Sequence, residues 1–400
     1  MGFSILQFEF MNYNFDEVIN RHNTDAIKIE RCKALFGTED VIPLWVADMD
    51  FRTPDFVIDS IKKRCEHPIL GYSKIPTGFF TVLTNWIKQL HNWDVKQEWV
   101  GFLPGIVSGI AFAVEIFTEL GDEIIIQPPV YYPFIYVVKK SKRELVYNQL
   151  KVLDGKFEID FDDLERKITS KTRLLILCNP HNPGGRAWDA ETLNHLAELC
   201  TKHNIIVISD EIHSDLVLHG KKHIPFALVS ETAANISLTF MAPTKTFNMP
   251  GLVSSSYIIP NSEIRAKFVN FLDKIEQANG NIFAYIATKA AYQNGAEWRK
   301  QMLEYVEGNI QYVVDFMKTK IPQIKPMIPE ASFLIWLNCE GLGMETDELF
   351  EFFVKKAGLG LNKGTTFGMG GEYHLRLNVG CSRSMLEKAM EQLLSAVINQ

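Results

Sequence analysis

The sequence predicts an α/β protein: a large domain with a mainly parallel central sheet flanked by helices, and a smaller α+β domain. Three observations lead there. Short β-rich apolar runs alternate with longer stretches of helical spacing through the middle of the chain. That rhythm stops after about residue 290. The 400 residues, 46% of them hydrophobic, are enough for one large core and a smaller one.

The β-rich runs are Glu123–Gln127, Arg173–Cys178, Ile205–Ser209 and Ser255–Ile259. Between them, Ile106, Ile110, Ala113 and Phe117 fall at i, i+4, i+7 and i+11, one face of a helix. Leu193, Leu196, Ala197 and Cys200 do the same, with Asp189 placed to cap that helix. Further on, Ile321–Glu330 carries Pro322, Pro326 and Pro329 and reads as a connector. It leads into an expected strand, Phe333–Leu337. A helix over about Asp347–Lys356 follows, stopped by Gly358, and the last helix is expected to open on the capping box Ser384-Met385-Leu386-Glu387. The N-terminal segment lacks the strand–helix rhythm. The expected division is therefore residues 51–290 for the large domain, and 1–50 with 291–400 for the small one.

Composition narrows the function. The formal net charge is −7, with 41 basic and 48 acidic side chains scattered along the chain. A broad nucleic-acid or anionic-membrane surface is not expected, although a local pocket can still take a small anion. The six cysteines (Cys32, Cys65, Cys178, Cys200, Cys339 and Cys381) form no CxxC pair. They read as reduced thiols in a cytoplasmic protein. No apolar run approaches the length of a membrane span. The start, MGFSILQFEF, lacks the basic residues and cleavage site of a signal peptide, and Leu6 stands where a myristoylation signal wants Ser or Thr. Met11 reads as a natural start, with the first ten residues as an extension.

Six short motifs carry the chemistry, and their order matters more than any one of them. APTKTFN (242–248) places Lys245 after a strand, where burial can neutralise an amine and make it a nucleophile; taken alone, the peptide reads as a surface turn. SDEIHSD (209–215) follows the Ile205–Ser209 run. Asp210 there can hold a proton on a pyridine nitrogen, or simply cap a helix. The grouping Glu211, His213, His219 and His223 fits no metal-site spacing, so no metal is expected. CNPHNPGGR (178–186) carries two Asn-Pro pairs that enforce an extended loop, and Asn179 and Asn182 offer amides to an oxygen of a ligand. LPGIVSGI (103–110) puts Gly105 before a helix whose first N–H groups, with the Ser108 hydroxyl, suit a phosphate. QPPVYYPF (127–134) offers Tyr131 and Tyr132 as a flat face for a ring, or as ordinary core aromatics. YHLRLNVG (373–380) sets Arg376 in a strand-like alternation, suited to a carboxylate.

In this order the motifs resemble the fold-type-I enzymes of pyridoxal 5'-phosphate (PLP), the superfamily of aspartate aminotransferase. With NYNFDEVINR, PLWVADMDF, GYSKIP and LRLNVGCSR added, the chain after Met11 is similar to the MalY/PatB-type C–S β-lyases, or cystathionine β-lyases. The resemblance implies a set of roles. Lys245 is the lysine that bonds the cofactor and later removes the Cα proton, and Asp210 pairs with the pyridine nitrogen. Asn182 and His213 sit near the ring's phenolate oxygen, and Tyr131 stacks on the ring. Ile106, Val107 and Thr244 lie near the phosphate, joined by Tyr72 from a neighbouring subunit of a homodimer with shared active sites. Arg376 holds the substrate carboxylate, with Asn182 and Ala47 in the same pocket. The implied reaction cleaves cystathionine or a related cysteine S-conjugate to a thiol, pyruvate and ammonia. Two departures from the wider superfamily stand out. Val253 occupies the place of a phosphate-binding arginine, and Ala242 a place often held by Ser or Thr. An aminotransferase would use the same lysine and aspartate, and a lyase with a second, regulator-binding role is the further alternative.

Overall fold

The computed structural model describes residues 13–400; Met11 and the proposed N-terminal extension lie outside the described residues. Its main sheet has seven strands: β1 (Val100–Leu103), β2 (Glu123–Ile126), β3 (Glu144–Tyr147), β4 (Thr172–Cys178), β5 (Ile206–Asp210), β6 (Ser237–Met241) and β7 (Ser255–Ile258). Their spatial order is β1-β7-β6-β5-β4-β2-β3. The five strands from β6 to β3 pair in parallel, and β7 runs antiparallel to both of its neighbours. Helices cover both faces of a parallel sheet, so its strands read as continuous apolar runs rather than alternating ones. Ile124, Ile125, Ile126, Leu174, Leu175, Ile176 and Leu177 are all fully buried, which is why these runs were visible in the sequence. The expected helical face holds as well: Ile106, Ile110 and Ala113 are buried along the helix Ile106–Phe117, while Phe117 is only partly so. Asp189 does cap its helix, accepting from the Thr192 amide at 2.9 Å.

Register is what builds the site. Cys178 at the end of β4 pairs with Asp210 at the end of β5, and Asp210 pairs with Phe240 near the end of β6. The loops that follow these three strands therefore leave the same edge of the sheet side by side. That edge, at the carboxyl ends of parallel strands, is where ligands bind in open α/β sheets.

The C-terminal part forms a second, antiparallel sheet of β8 (Lys325–Met327), β9 (Leu334–Asn338), β10 (Asn362–Lys363) and β11 (His374–Asn378), in the order β8-β9-β11-β10. Helices Ala296–Lys320, Thr346–Lys355 and Arg383–Ile398 accompany it. Two expectations are corrected here. The proline-rich connector contains the edge strand β8; Pro326 is tolerated there because an edge strand leaves one side unpaired. The last helix begins earlier than the Ser384 box: Ser382 is its cap and accepts from the Met385 amide, so Ser384 lies inside the helix. Residues 42–51 join this unit. Ile42 and Pro43 pair with Leu359 and Gly360, and Leu44, Met49 and Phe51 share one core with Leu334, Ile335, Leu375 and Leu377. Each fully buried side chain of this size contributes roughly 1.5–3 kcal/mol of transfer free energy. No helix among the described residues is long and apolar enough to cross a membrane.

Candidate active site

A cavity of about 160 Å³ opens at the carboxyl ends of β4, β5 and β6. Of the residues expected at the site, Ala47, Ile106, Val107, Tyr131, Asn182, Asp210, His213, Thr244 and Lys245 line it. Arg376 and Tyr72 do not.

Asp210 and Lys245 set its electrostatics. Asp210 is almost completely buried, and the Ile212 amide, at 3.1 Å, is its hydrogen-bond partner. Burial lifts its carboxyl from 3.8 to about 7, against the pull of the Ile212 amide and Lys245. Lys245 sits on a single helical turn, Pro243–Thr246, started by a proline whose missing N–H is not needed at that position. Lys245 keeps part of its surface and lines the cavity, and Nζ donates to the Ala47 carbonyl at 2.6 Å. Burial lowers its ammonium from 10.5 to about 8; Asp48 and Asp210 oppose that shift and Arg376 adds to it. His213 is pushed down to about 3 by burial, by Lys245 and by Arg376, and its Nδ1 has no partner among the described residues. It is therefore a neutral imidazole at physiological pH.

Gly105, Ile106 and Val107 bring a helix N-terminus to the cavity, a feature suited to an anion. Gly105 takes φ +89°, a conformation closed to most L-residues, and delivers the chain into the helix Ile106–Phe117. Its own amide is held by Ser255 Oγ at 3.1 Å, and Ser255 donates to the Leu103 carbonyl. The amides of the helix's first turn, which no intrahelical carbonyl takes, open at the cavity end that Ile106 and Val107 line. Ser108 does not line the cavity, so the expectation for its hydroxyl is not met. Val253 does line it, and holds φ +49° although it is β-branched, which marks local backbone strain.

Arg376 stands behind the cavity wall. Nη1 donates to Asn182 Oδ1 at 3.0 Å; Nη2 donates to the Trp45 carbonyl at 2.7 Å and to Asn362 Oδ1 at 2.5 Å. Its guanidinium lies over the Phe367 ring at 4.9 Å. Nε is buried without a partner among the described residues, and burial lowers the group to about 10. Asn182 thus links the arginine to the cavity. Asn179, the other amide of that loop, turns away and donates to the Ile224 carbonyl. Tyr72 is fully exposed, on the loop before the helix Phe79–His91.

Two supporting layers have no local signature in the sequence. Beneath the cavity, Asp215 accepts from Trp86 Nε1, Thr246 Oγ1 and His91 Nε2, while Glu211 meets His223 Nε2 at 2.7 Å and accepts from Ser209 and the Phe226 amide. This is where the acids and histidines around SDEIHSD go. Above it, Asn248 and Asn378 grip the segment 46–51. The only available signal was that both asparagines fall inside motifs already singled out, APTKTFN and LRLNVG.

The residues fit PLP. A buried carboxylate that lacks a cation, a lysine with a depressed pKa, an aromatic wall and a helix N-terminus face one enclosed space. The ligand they suit has a protonated ring nitrogen, a carbonyl and a phosphate. The comparisons agree. The family model of aminotransferase class I and II matches residues 39–393. The chain is 43% identical over 385 residues to cystathionine beta-lyase PatB of Bacillus subtilis (strain 168), spanning 96% of this chain and 100% of that protein. It is 30% identical over 389 residues to Protein MalY of Escherichia coli (strain K12), spanning 96% and 99%. The solved structure of cystalysin from Treponema denticola, which contains a pyridoxal 5'-phosphate cofactor, matches with TM-score 0.94 at 32% identity, covering 97% of this chain and all of that one.

Proposed function

Because the chain belongs to the aminotransferase class I and II family, in its MalY/PatB-type branch, we propose that it is a PLP-dependent C–S β-lyase. It cleaves L-cystathionine or a related cysteine S-conjugate to a thiol, pyruvate and ammonia. The observation that carries the reading is the meeting of Lys245 and Asp210 in one cavity, one with a lowered pKa and the other with a raised one.

When bound, PLP supplies an electron sink for the pair left at the substrate Cα. The side chains do the rest. Asp210 holds the proton on the pyridine nitrogen. Asn182 and neutral His213 face the ring oxygen, and Tyr131 covers one face of the ring. Lys245 accepts the Cα proton at Nζ as general base, then offers that proton to the departing sulfur. Arg376 takes the substrate carboxylate, with Asn182 beside it and Ala47 closing the pocket. This fixes the Cα–H bond toward Nζ, a contribution of positioning rather than of charge. The first-turn amides of the helix behind Ile106 and Val107, with Thr244, hold the phosphate.

Tyr72 belongs in this reading only if a second chain is present. Its exposure, beside exposed Ile69 and Leu70, supports a homodimer in which Tyr72 of one subunit completes the phosphate site of the other. The same reading makes residues 51–290 the cofactor-binding unit, and 291–400 with the described residues before 51 the smaller one. It places the protein in the cytoplasm, consistent with its free thiols.

The test is pyruvate release from L-cystathionine with no 2-oxoacid present, beside Lys245→Ala. Steady production that vanishes in the variant is expected. Turnover only after a 2-oxoacid is added would instead establish an aminotransferase.

A further inference from the structure

The segment Trp45–Phe51 is a strap that brings Ala47 to the cavity, and its backbone is held at several points. Asn378 Nδ2 donates to the carbonyls of Val46 at 2.5 Å and Asp48 at 2.6 Å, the two that flank Ala47. Asn378 Oδ1 is fixed in turn by the Gly380 amide at 2.8 Å, and the Asp50 amide donates to the Gly380 carbonyl. From the other side, Asn248 accepts from the Met49 amide and donates to the carbonyls of Met49 and Phe51. One carbonyl in this clamped stretch points at the chemistry: Ala47 O, which accepts from Lys245 Nζ at 2.6 Å. Two residues earlier, the Trp45 carbonyl accepts from Arg376. Asn378 and Arg376 lie on the same strand, β11, two residues apart, so both point to the same face of the sheet.

We propose that Asn378 is a positioning residue for Lys245: by gripping the carbonyls on either side of Ala47, it aims the Ala47 carbonyl at Nζ and holds it there as a dock for the protonated amine. The proposal rests on Lys245 as the base of the reaction proposed above. A carbonyl oxygen only accepts, so the dock favours the protonated form of Nζ. The lysine has to keep the Cα proton until the sulfur leaves, and a dock fixed on both sides holds it in one place for that interval. The other charged or titratable groups facing Nζ are Asp48, Asp210, Arg376 and His213. The two carboxylates favour the ammonium, Arg376 opposes it, and His213 is neutral. Because the strap also carries the Trp45 carbonyl, it ties the carboxylate-binding arginine to the base through three residues of backbone.

The test needs a control for lost buried hydrogen bonds, and the fold contains one. Asn309 is equally buried and makes the same kind of double grip, Nδ2 to the carbonyls of Val379 and Cys381, bonding the residues on either side of Gly380 rather than the strap itself. Apoprotein carrying Asn378→Ala, Asn378→Ser or Asn309→Ala is mixed with PLP across a pH series. Covalent capture by Lys245 is followed by visible absorbance, a readout independent of which amino acid is turned over. Loss of the dock is expected to move the pH midpoint of capture downward by about one unit in Asn378→Ala. In Asn378→Ser, which keeps one donor, the shift should be smaller. In Asn309→Ala the midpoint should stay in place while Tm falls. In turnover, Asn378→Ala is expected to lower kcat at least about tenfold with a smaller change in KM. Equal midpoints in all three variants, or a shift in Asn309→Ala as large as that in Asn378→Ala, would overturn the proposal and leave Asn378 a purely structural residue. If Asn378→Ala does not fold, Asn378→Ser decides by the same criterion.

Discussion

Asp210 and Asp215 are two buried carboxylates on one short stretch of chain, and the fold treats them in opposite ways. For both, burial raises the pKa. At Asp215 the protein supplies partners: His91, Arg299, Trp86 and Thr246 outweigh desolvation and bring the group below its ordinary range. At Asp210 one backbone amide cannot do this, and the carboxyl rises to about 7. The contrast separates structure from function. A carboxylate that carries the fold is satisfied from within, whereas one that carries chemistry is left short of a cation, which the ligand brings. Glu330 repeats the first case. It is nearly buried, and against the effect of burial Lys156, Lys221 and Arg186 hold it down to about 2.

The largest expected effects dissociate the two acids. Asp210→Ala should lower turnover on the order of 10²–10³-fold with little loss of apoprotein stability, because the charge that shapes the transition state is gone while few native bonds are. Asp215→Ala should do the reverse. It strands His91, Trp86 and Thr246 in the interior and should cost about 3–5 kcal/mol in urea unfolding, with activity per folded molecule largely kept. If both variants lose activity and stability in parallel, the distinction fails.

The second effect is on stability against pH. Unfolded, Asp210 titrates near 3.8; folded, near 7. Between those values the folded apoprotein keeps a proton that the unfolded chain has lost, so this group's contribution is present at low pH and is lost as pH rises through about 7. The decline should amount to roughly 4 kcal/mol and be absent in Asp210→Asn. Urea midpoints of the apoproteins at both ends of the window measure it, and an unchanged slope in the variant would refute it.

Lys245 gives a third, kinetic effect. Capture of PLP needs the neutral amine, so its rate should climb with pH and level off above about 8, not near the ordinary lysine value of 10.5. A rate still climbing steeply at pH 10 would mean that the amine is more solvated than its surroundings imply. The smallest effect concerns Tyr72. Tyr72→Phe should weaken PLP retention by about threefold to tenfold, the worth of one hydrogen bond, and only if a neighbouring chain lends the hydroxyl. Wild-type retention by the variant would remove Tyr72 from the site.

Much of this is legible in the sequence. Apolar runs such as Ile124–Ile126 and Leu174–Leu177 announce strands buried on both faces, and the motifs that follow β4 and β5 mark the edge where a ligand binds. Lys245, Asp210, Asn182, His213 and Tyr131 all fall in such motifs, and they line one cavity. The edge strand β8 was not legible, because its three residues carry a proline and no periodicity. Nor was the Ser382 cap, since serines two residues apart compete for the role.

The sequence alone determined the order of the elements and the residue types at the strand ends, because burial and backbone preference act on neighbours along the chain. Tertiary structure decided which of the buried acids would be left with a single backbone amide, that Arg376 reaches the cavity through Asn182, and that Asn378 grips the strap opposite Lys245. Those depend on contacts between residues up to 332 positions apart. A polar side chain's partners, and with them its pKa and its role, are set by what the fold brings beside it, and local spacing carries no record of that.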